Sequence, residues 1–132
     1  MSAHTDGFAR DHLPPRELWP VLEDGREAGL DYPATLNCAT ELLDRNAARD
    51  GERTALVWPG GSWRYGELLS AVNRIANVLV EDLGLQPGNR VLLHGPNNAL
   101  MAACWFAILK AGGIVVCTMP LLRARELRYV VD

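Results

Sequence analysis

Between residues 66 and 118 two kinds of apolar periodicity alternate, and this alternation restricts the possible folds more than any other feature of the chain. Leu68, Leu69, Val72, Ile75, Ala76, Leu79, Val80 and Leu83 recur at steps of three and four, the spacing of one helical face. Gly84 is a natural helix stop. Gln86-Pro87-Gly88-Asn89 reads as a turn and residues 90–94 as a strand. Gly95-Pro96-Asn97-Asn98 is a second turn, with Asn97 or Asn98 placed to cap the next helix. Residues 98–111 are apolar nearly all round, which predicts a buried helix. After Gly112-Gly113, residues 114–118 form the β-branched run of an interior parallel strand, and residues 123–130 open another helix. Strands alternating with helices of this length predict an α/β fold, a partial parallel sheet flanked by helices on both faces.

Upstream, Leu36, Ala39, Leu42, Leu43 and Ala47 follow helical spacing, which stops before the Asp50-Gly51 turn. Residues 54–58 and 62–65 read as a hairpin around Pro59-Gly60-Gly61, with Trp58, Trp63 and Tyr65 packing across it. Residues 1–34 hold four of the eight prolines and read as an arm that gains order by lying on a larger body, with one short helical turn over 16–22 after Pro15. The expected organisation is an arm, 1–34, and an incomplete α/β subdomain, 35–132. The last residues fall inside a helix, which points to a truncated chain. Its apolar faces are then laid out for covering by further polypeptide, and self-association through that exposed surface is expected.

Composition removes several function classes. The 132 residues are 48% hydrophobic and 22% charged, enough for a core and unlike a disordered or collagenous chain. The net charge is −3 without a polybasic tract, so neither nucleic acid nor an anionic membrane is an expected partner. The uninterrupted apolar run 99–109 is too short to span a bilayer, and no basic-then-apolar leader opens the chain. Cys38, Cys104 and Cys117 are odd in number, lack C-x-x-C spacing and suit a reducing, cytoplasmic setting. Cys104 and Cys117 lie in apolar runs and read as small hydrophobes. His4, His12 and His94 share no ligand spacing with them, so no zinc or other metal site is expected.

No Walker-type phosphate loop, no G-x-G-x-x-G after a strand and no G-x-S-x-G occurs. The turn at 94–98 could offer backbone N–H groups to an anion, but Pro96 removes a donor and the turn reads as a connection. The acidic pairs Glu23/Asp24 and Glu81/Asp82 read as solvated surface. The residues alone therefore give an α/β module with no catalytic constellation and no catalytic residue singled out.

Six short segments in fixed order carry a resemblance: Trp63-Arg-Tyr-Gly-Glu-Leu, Asn73-Arg-Ile-Ala, Gly84-Leu-Gln-Pro-Gly-Asn-Arg-Val, Pro96-Asn-Asn, Lys110-Ala-Gly-Gly-Ile-Val-Val and Pro120-Leu-Leu-Arg-Ala-Arg-Glu-Leu. Over residues 35–132 the chain resembles the N-terminal region of AMP-forming acyl-CoA synthetases, the adenylate-forming ligase superfamily. The arm segments Phe8-Ala-Arg-Asp-His-Leu-Pro-Pro-Arg-Glu-Leu-Trp-Pro and Tyr32-Pro-Ala-Thr-Leu-Asn-Cys-Ala-Thr-Glu-Leu-Leu-Asp-Arg look like the benzoate and 2-aminobenzoate branch. The resemblance implies a two-step reaction on a small aromatic carboxylic acid. The carboxylate attacks the α-phosphate of ATP and releases pyrophosphate, with Mg²⁺ offsetting phosphate charge; the thiol of coenzyme A then displaces AMP.

The departures from the family pattern are equally definite. The Ser/Thr/Gly-rich phosphate loop, the adenine-facing aromatic segment, the ribose-holding Asp, the hinge and the C-terminal Lys of the family are missing from these 132 residues. The chain alone is therefore expected to be inactive and to bind none of the three cofactors tightly. Arg123 and Arg125 are the candidate contacts to CoA phosphates, because some relatives carry a basic residue just after the matching proline. Where the family has Thr as a helix cap this chain has Arg64, which loses half of a capping box. Two other readings stay open: a non-catalytic remnant or split subunit that binds a partner, and a small nucleotide- or CoA-binding module.

Overall fold

The computed structural model describes residues 3–21, 25, 29 and 32–132. Its elements run in chain order: helix α1 (Phe8–Asp11), a 3₁₀ turn (Arg16–Leu18), and a π-helical stretch (Thr40–Asp44) that continues into α2 (Arg45–Arg49). Then come the hairpin β1 (Thr54–Trp58) and β2 (Gly61–Arg64), and α3 (Tyr65–Asn77) with its π-helical extension Val78–Asp82. The order closes with β3 (Arg90–His94), α4 (Ala99–Lys110), β4 (Ile114–Thr118) and α5 (Ala124–Val131). Helix, hairpin, helix, strand, helix, strand, helix is the order read from the periodicity.

Local chemistry sets most of the boundaries. Asn37 starts the first long helical segment: its Oδ1 accepts from the backbone N–H of Ala39 (2.9 Å) and Thr40 (3.3 Å). The helix thus begins at Cys38, after Leu36. The same side chain donates through Nδ2 to the carbonyl of Leu109 at 2.8 Å, tying this cap to the last turn of α4. Lys110 adds an ion pair to Asp44 at 2.6 Å and places its charge at the negative end of the α4 dipole. Gly84 stops the α3 segment with φ +67°, and the Leu85 N–H reaches back to the Leu79 carbonyl at 2.8 Å. Of the two candidate caps before α4, Asn98 serves: its Oδ1 accepts from Met101 N–H at 2.8 Å.

The strands divide into two separate sheets. β1 and β2 form an antiparallel hairpin with a bulge between Thr54 and Leu56. Trp58 and Trp63 meet edge to face across it, centroids 5.6 Å apart, as expected. Tyr65 instead lies under the Arg53 guanidinium at 4.8 Å. β3 and β4 pair in parallel, in register from Arg90↔Ile114 to His94↔Thr118. The α/β expectation is met, with a two-stranded parallel pair as its sheet. Helix α3 packs on the hairpin and on α4, and α4 packs on β3 and β4. Leu43, Leu68, Val72, Ala103 and Ala107 fill the buried centre between them. Small side chains at Ala71, Ala76, Ala103 and Ala107 let α3 and α4 approach closely.

Part of the described arm is regular and held to the body. Residues 8–11 are helical, and the backbone N–H groups of Thr5 and Asp6 both donate to the Pro87 carbonyl (2.9 and 3.0 Å). Pro15 sits just outside the turn expected over 16–22, which is a single 3₁₀ turn at Arg16–Leu18; its end, residue 22, lies outside the described residues.

At the start of α3 the Arg64 backbone N–H donates to Glu67 Oε2 at 2.8 Å, so the glutamate half of a capping box is present. A guanidinium has no acceptor to return to the helix, and the Arg64 side chain pairs with Glu52 instead. Arg64→Thr restores the missing acceptor, worth about 1 kcal/mol. It removes only an exposed ion pair, worth roughly 0–1 kcal/mol. The expected result is a melting temperature raised by a few degrees in a thermal scan.

Candidate functional site

In open parallel sheets ligands collect beyond the carboxyl ends of the strands. Here that end is marked by the last register pair, His94 and Thr118. The His94 Nδ1 lies 2.9 Å from Thr118 Oγ1, a hydrogen bond whose direction depends on the imidazole tautomer. Both residues are succeeded at once by turns leading to helix N-termini, Asn98 before α4 and Arg123 before α5. Between α4 and the sheet a hollow of about 410 Å³ opens beside this end. Leu93, Met101, Trp105, Phe106 and Cys117 give it apolar walls, and Asn97 and Asn98 are its polar members. Trp105 and Phe106 stand edge to face, 5.1 Å apart.

Arg123 occupies the N-cap position of α5, and its backbone N–H donates to Glu126 Oε2 at 2.9 Å. Its side chain repeats the arrangement at Arg64: it caps nothing and is exposed. Arg125 lies in the first turn of the same helix and is also exposed. Thus the two sequence candidates stand together at the positive end of an eight-residue helix, directly after the turn that leaves β4. Glu126 supplies one carboxylate to this turn, and two guanidinium groups beside the remaining backbone N–H groups leave it net positive, which favours an anion.

The 94–98 turn behaves as a connection. Asn98 is used as a cap and His94 is bound to Thr118. The His94–Thr118 contact was not read from the sequence. The available signal was the pair of equal five-residue strands, which in parallel register bring their last residues side by side.

The cysteines separate by environment. Burial pushes the Cys104 thiol up from its ordinary value, in line with a small hydrophobe. Cys117, expected to behave likewise, is exposed, because it lines the open hollow beside α4. Glu81 and Asp82 are exposed at the end of the α3 extension, as read. Glu23 and Asp24 lie outside the described residues. Among the described residues no group of three or more His, Cys, Asp or Glu is arranged to hold a metal ion, and no helix is long and apolar enough to cross a membrane.

Comparison with known proteins agrees with this geometry. An uncharacterized acyl-CoA ligase of Bacillus subtilis, YtcI, is 32% identical over 76% of this chain and 19% of its own length. The salicyl-AMP ligase / salicyl-S-ArCP synthetase of Mycobacterium tuberculosis is 44% identical over 70% of this chain and 16% of its own length. Among solved structures, the anthranilate CoA ligase AuaEII in complex with anthranoyl-AMP superposes with a TM-score of 0.70 at 29% identity, covering 76% of this chain and 19% of that one. The chain thus spans less than a fifth of the length of each of these relatives. The fold is that of the N-terminal domain of adenylate-forming ligases. The family model for AMP-binding enzymes matches residues 43–132, so the chain belongs to the AMP-binding enzyme family, the adenylate-forming ligases.

Proposed function

We propose that this chain is the amino-terminal portion of an ATP-dependent, AMP-forming ligase that activates a benzoate- or 2-aminobenzoate-like acid and transfers it to coenzyme A. The observation that carries the reading is the superposition on an anthranilate CoA ligase, in the same family as the matched model. The identity with a salicyl-AMP ligase supports an aromatic acid as the class of substrate. The arm, 1–34, and the subdomain, 35–132, are the two parts of this portion, and the cytoplasm is its compartment.

In that reaction a carboxylate oxygen attacks the α-phosphorus of ATP, pyrophosphate leaves with the electron pair, and the CoA thiol later displaces AMP from the acyl carbon. ATP and Mg²⁺ supply the leaving group and its charge neutralisation. The residues present do not fit them: the sequence holds no Gly-rich phosphate loop, and the acidic pair at Glu81/Asp82 lies on open surface away from any phosphate cradle. Stabilising the charge that develops at the reacting phosphate requires donors aimed at it, and these 132 residues carry none of the family's set. Coenzyme A fits better. Arg123 and Arg125 present two exposed guanidinium groups at a helix N-terminus, and guanidinium suits phosphate by its planar fork of donors. Their role is to hold the CoA phosphates while the thiol reacts elsewhere.

Two experiments test the proposal. The purified 132-residue chain is expected to show no ATP–pyrophosphate exchange above a mock preparation with benzoate, 2-aminobenzoate or salicylate; exchange above mock overturns its inactivity. A chimera carrying residues 35–132 in place of the matching stretch of the anthranilate CoA ligase is expected to form 2-aminobenzoyl-AMP. In it, Arg123→Ala with Arg125→Ala raises the KM for CoA about tenfold, roughly 1.4 kcal/mol, and leaves exchange unchanged. A chimera unable to adenylate the acid counts against the substrate class, and an unchanged KM removes the two arginines from the CoA contact.

A further inference from the structure

Among the described residues, Thr5, Asp6 and Phe8 of the arm hold the turn before β3. Thr5 and Asp6 donate their backbone N–H groups to the Pro87 carbonyl, and the Thr5 hydroxyl donates to it as well at 3.1 Å. The Asp6 carboxylate then collects three donors. Oδ1 accepts from Phe8 N–H at 2.8 Å, and Oδ2 accepts from Asn89 Nδ2 at 2.8 Å and from Arg90 Nη1 at 2.6 Å. The Phe8 ring lies 4.0 Å beneath the Arg90 guanidinium and stacks on His12 at 4.0 Å on the arm itself. Gly88 is buried under this contact with φ +95°, and a Cβ there would stand 2.3 Å from the Asp6 carbonyl oxygen. Backbone and side chain on both partners are therefore fitted to one docked geometry, with contacts separated by more than eighty residues in sequence.

The turn gripped in this way also sets where the parallel pair begins. The Gly88 N–H donates to the Gly112 carbonyl at 2.8 Å, and the Ile114 N–H donates to the Asn89 carbonyl at 2.8 Å. Asn89 links the two functions, since its Oδ1 accepts from the Gln86 N–H while its Nδ2 binds Asp6. The opposite end of the pair, at His94 and Thr118, has no hydrogen bond to the arm among the described residues.

We propose that residues 5–12 are a strap, latched by the Asp6 carboxylate onto the 87–90 turn, that fixes the amino-terminal end of the β3–β4 pair and leaves its carboxyl end free to serve the ligand. The Phe8 N–H and then the Asn89 amide hold the Asp6 carboxyl below its ordinary 3.8, so the latch is charged at neutral pH. Losing it frees a segment whose remaining contacts are few and exposed, the condition for local opening without global unfolding.

Hydrogen exchange and limited trypsin digestion of the whole 132-residue chain test the strap. Asp6→Ala is expected to speed cleavage after Arg10 and exchange of the Phe8 amide at least tenfold, and to speed exchange at Ile114 several-fold. Amides in the middle of α3 and α4 and at His94 keep their parent rates. Asp6→Asn, which retains the acceptor for Phe8 and loses the charge facing Arg90, falls between Asp6→Ala and parent. Gly88→Ala reproduces Asp6→Ala from the other partner. Glu17→Ala, a carboxylate change on the same arm away from the cleaved bond and from the 87–90 turn, keeps the parent rates. Cleavage after Arg10 within twofold of parent in both Asp6→Ala and Gly88→Ala overturns the strap. So does equal acceleration throughout α3 and α4, which identifies Asp6 with global stability and not with a local latch.

Discussion

Leu68→Ala is expected to cost about 2–5 kcal/mol and to lower the denaturation midpoint of this chain sharply. Leu68 is 2% exposed on the face of α3 that meets Leu43, Val72, Ala103 and Ala107. Removing its three terminal carbons forfeits their transfer energy and leaves a void between elements that cannot close. Ala103 and Ala107 on the facing helix have no reach across the gap, so filling it would take Leu43 or Val72 out of its own buried position. The buried hydrophobic set among the described residues is small: Ala39, Leu43, Leu68, Ala71, Val72, Ala76, Ala103, Ala107 and Ile108. A domain has only about 5–15 kcal/mol of net stability, so one lost contact of this size removes a large share. Chemical denaturation monitored by circular dichroism reads the effect as a lower midpoint with an unchanged slope. Leu121→Ala, at a position 72% exposed, is the matched control and is expected to leave the midpoint where it is. A Leu68→Ala midpoint equal to that of the parent would place the core elsewhere.

The elements that were legible in the sequence are those whose signal is local. Seven of the eight apolar positions, Leu68 to Val80, lie on the α3 segment while Leu83 falls just past its end and is exposed, Gly84 stops the segment with a positive φ, and β3 and β4 have the bounds read from Arg90–His94 and Ile114–Thr118. The capping defect at Arg64 was legible because it depends on one side chain lacking an acceptor. What depended on contacts across many residues was not legible. Asp6 gives no sign in sequence that it will bind Asn89 and Arg90, nor Asn37 that it will hold Leu109. The split into a hairpin sheet and a separate parallel pair also escapes periodicity, which fixes what each strand buries and not which strand lies beside it. At the candidate site, Arg123 and Arg125 were found through resemblance alone. Composition does not distinguish an arginine at a helix start from any other exposed arginine.

The second large effect concerns association. The described residues leave Met119, Leu121, Tyr129 and Val131 between 63% and 90% exposed around α5 and the turn before it, and Leu83 and Val57 are 71% and 79% exposed elsewhere. Among the described residues each strand of the β3–β4 pair has a single partner, which leaves an edge of each unpaired there. Contiguous apolar surface and unpaired strand edges both favour chain–chain contact in water. The chain on its own is therefore expected to sediment as a mixture whose average mass rises over a tenfold increase in concentration. Leu121→Lys with Val131→Lys places two charges on that surface without touching the buried set, and is expected to shift the distribution toward monomer while the melting temperature stays within about two degrees. The charges work by solvation and not by refolding, because both positions are already open to water. A parent chain that sediments as one concentration-independent monomer would show that α5 and the strand edges are tolerated in solution. The apolar faces would then have to be explained by something other than a need for covering polypeptide.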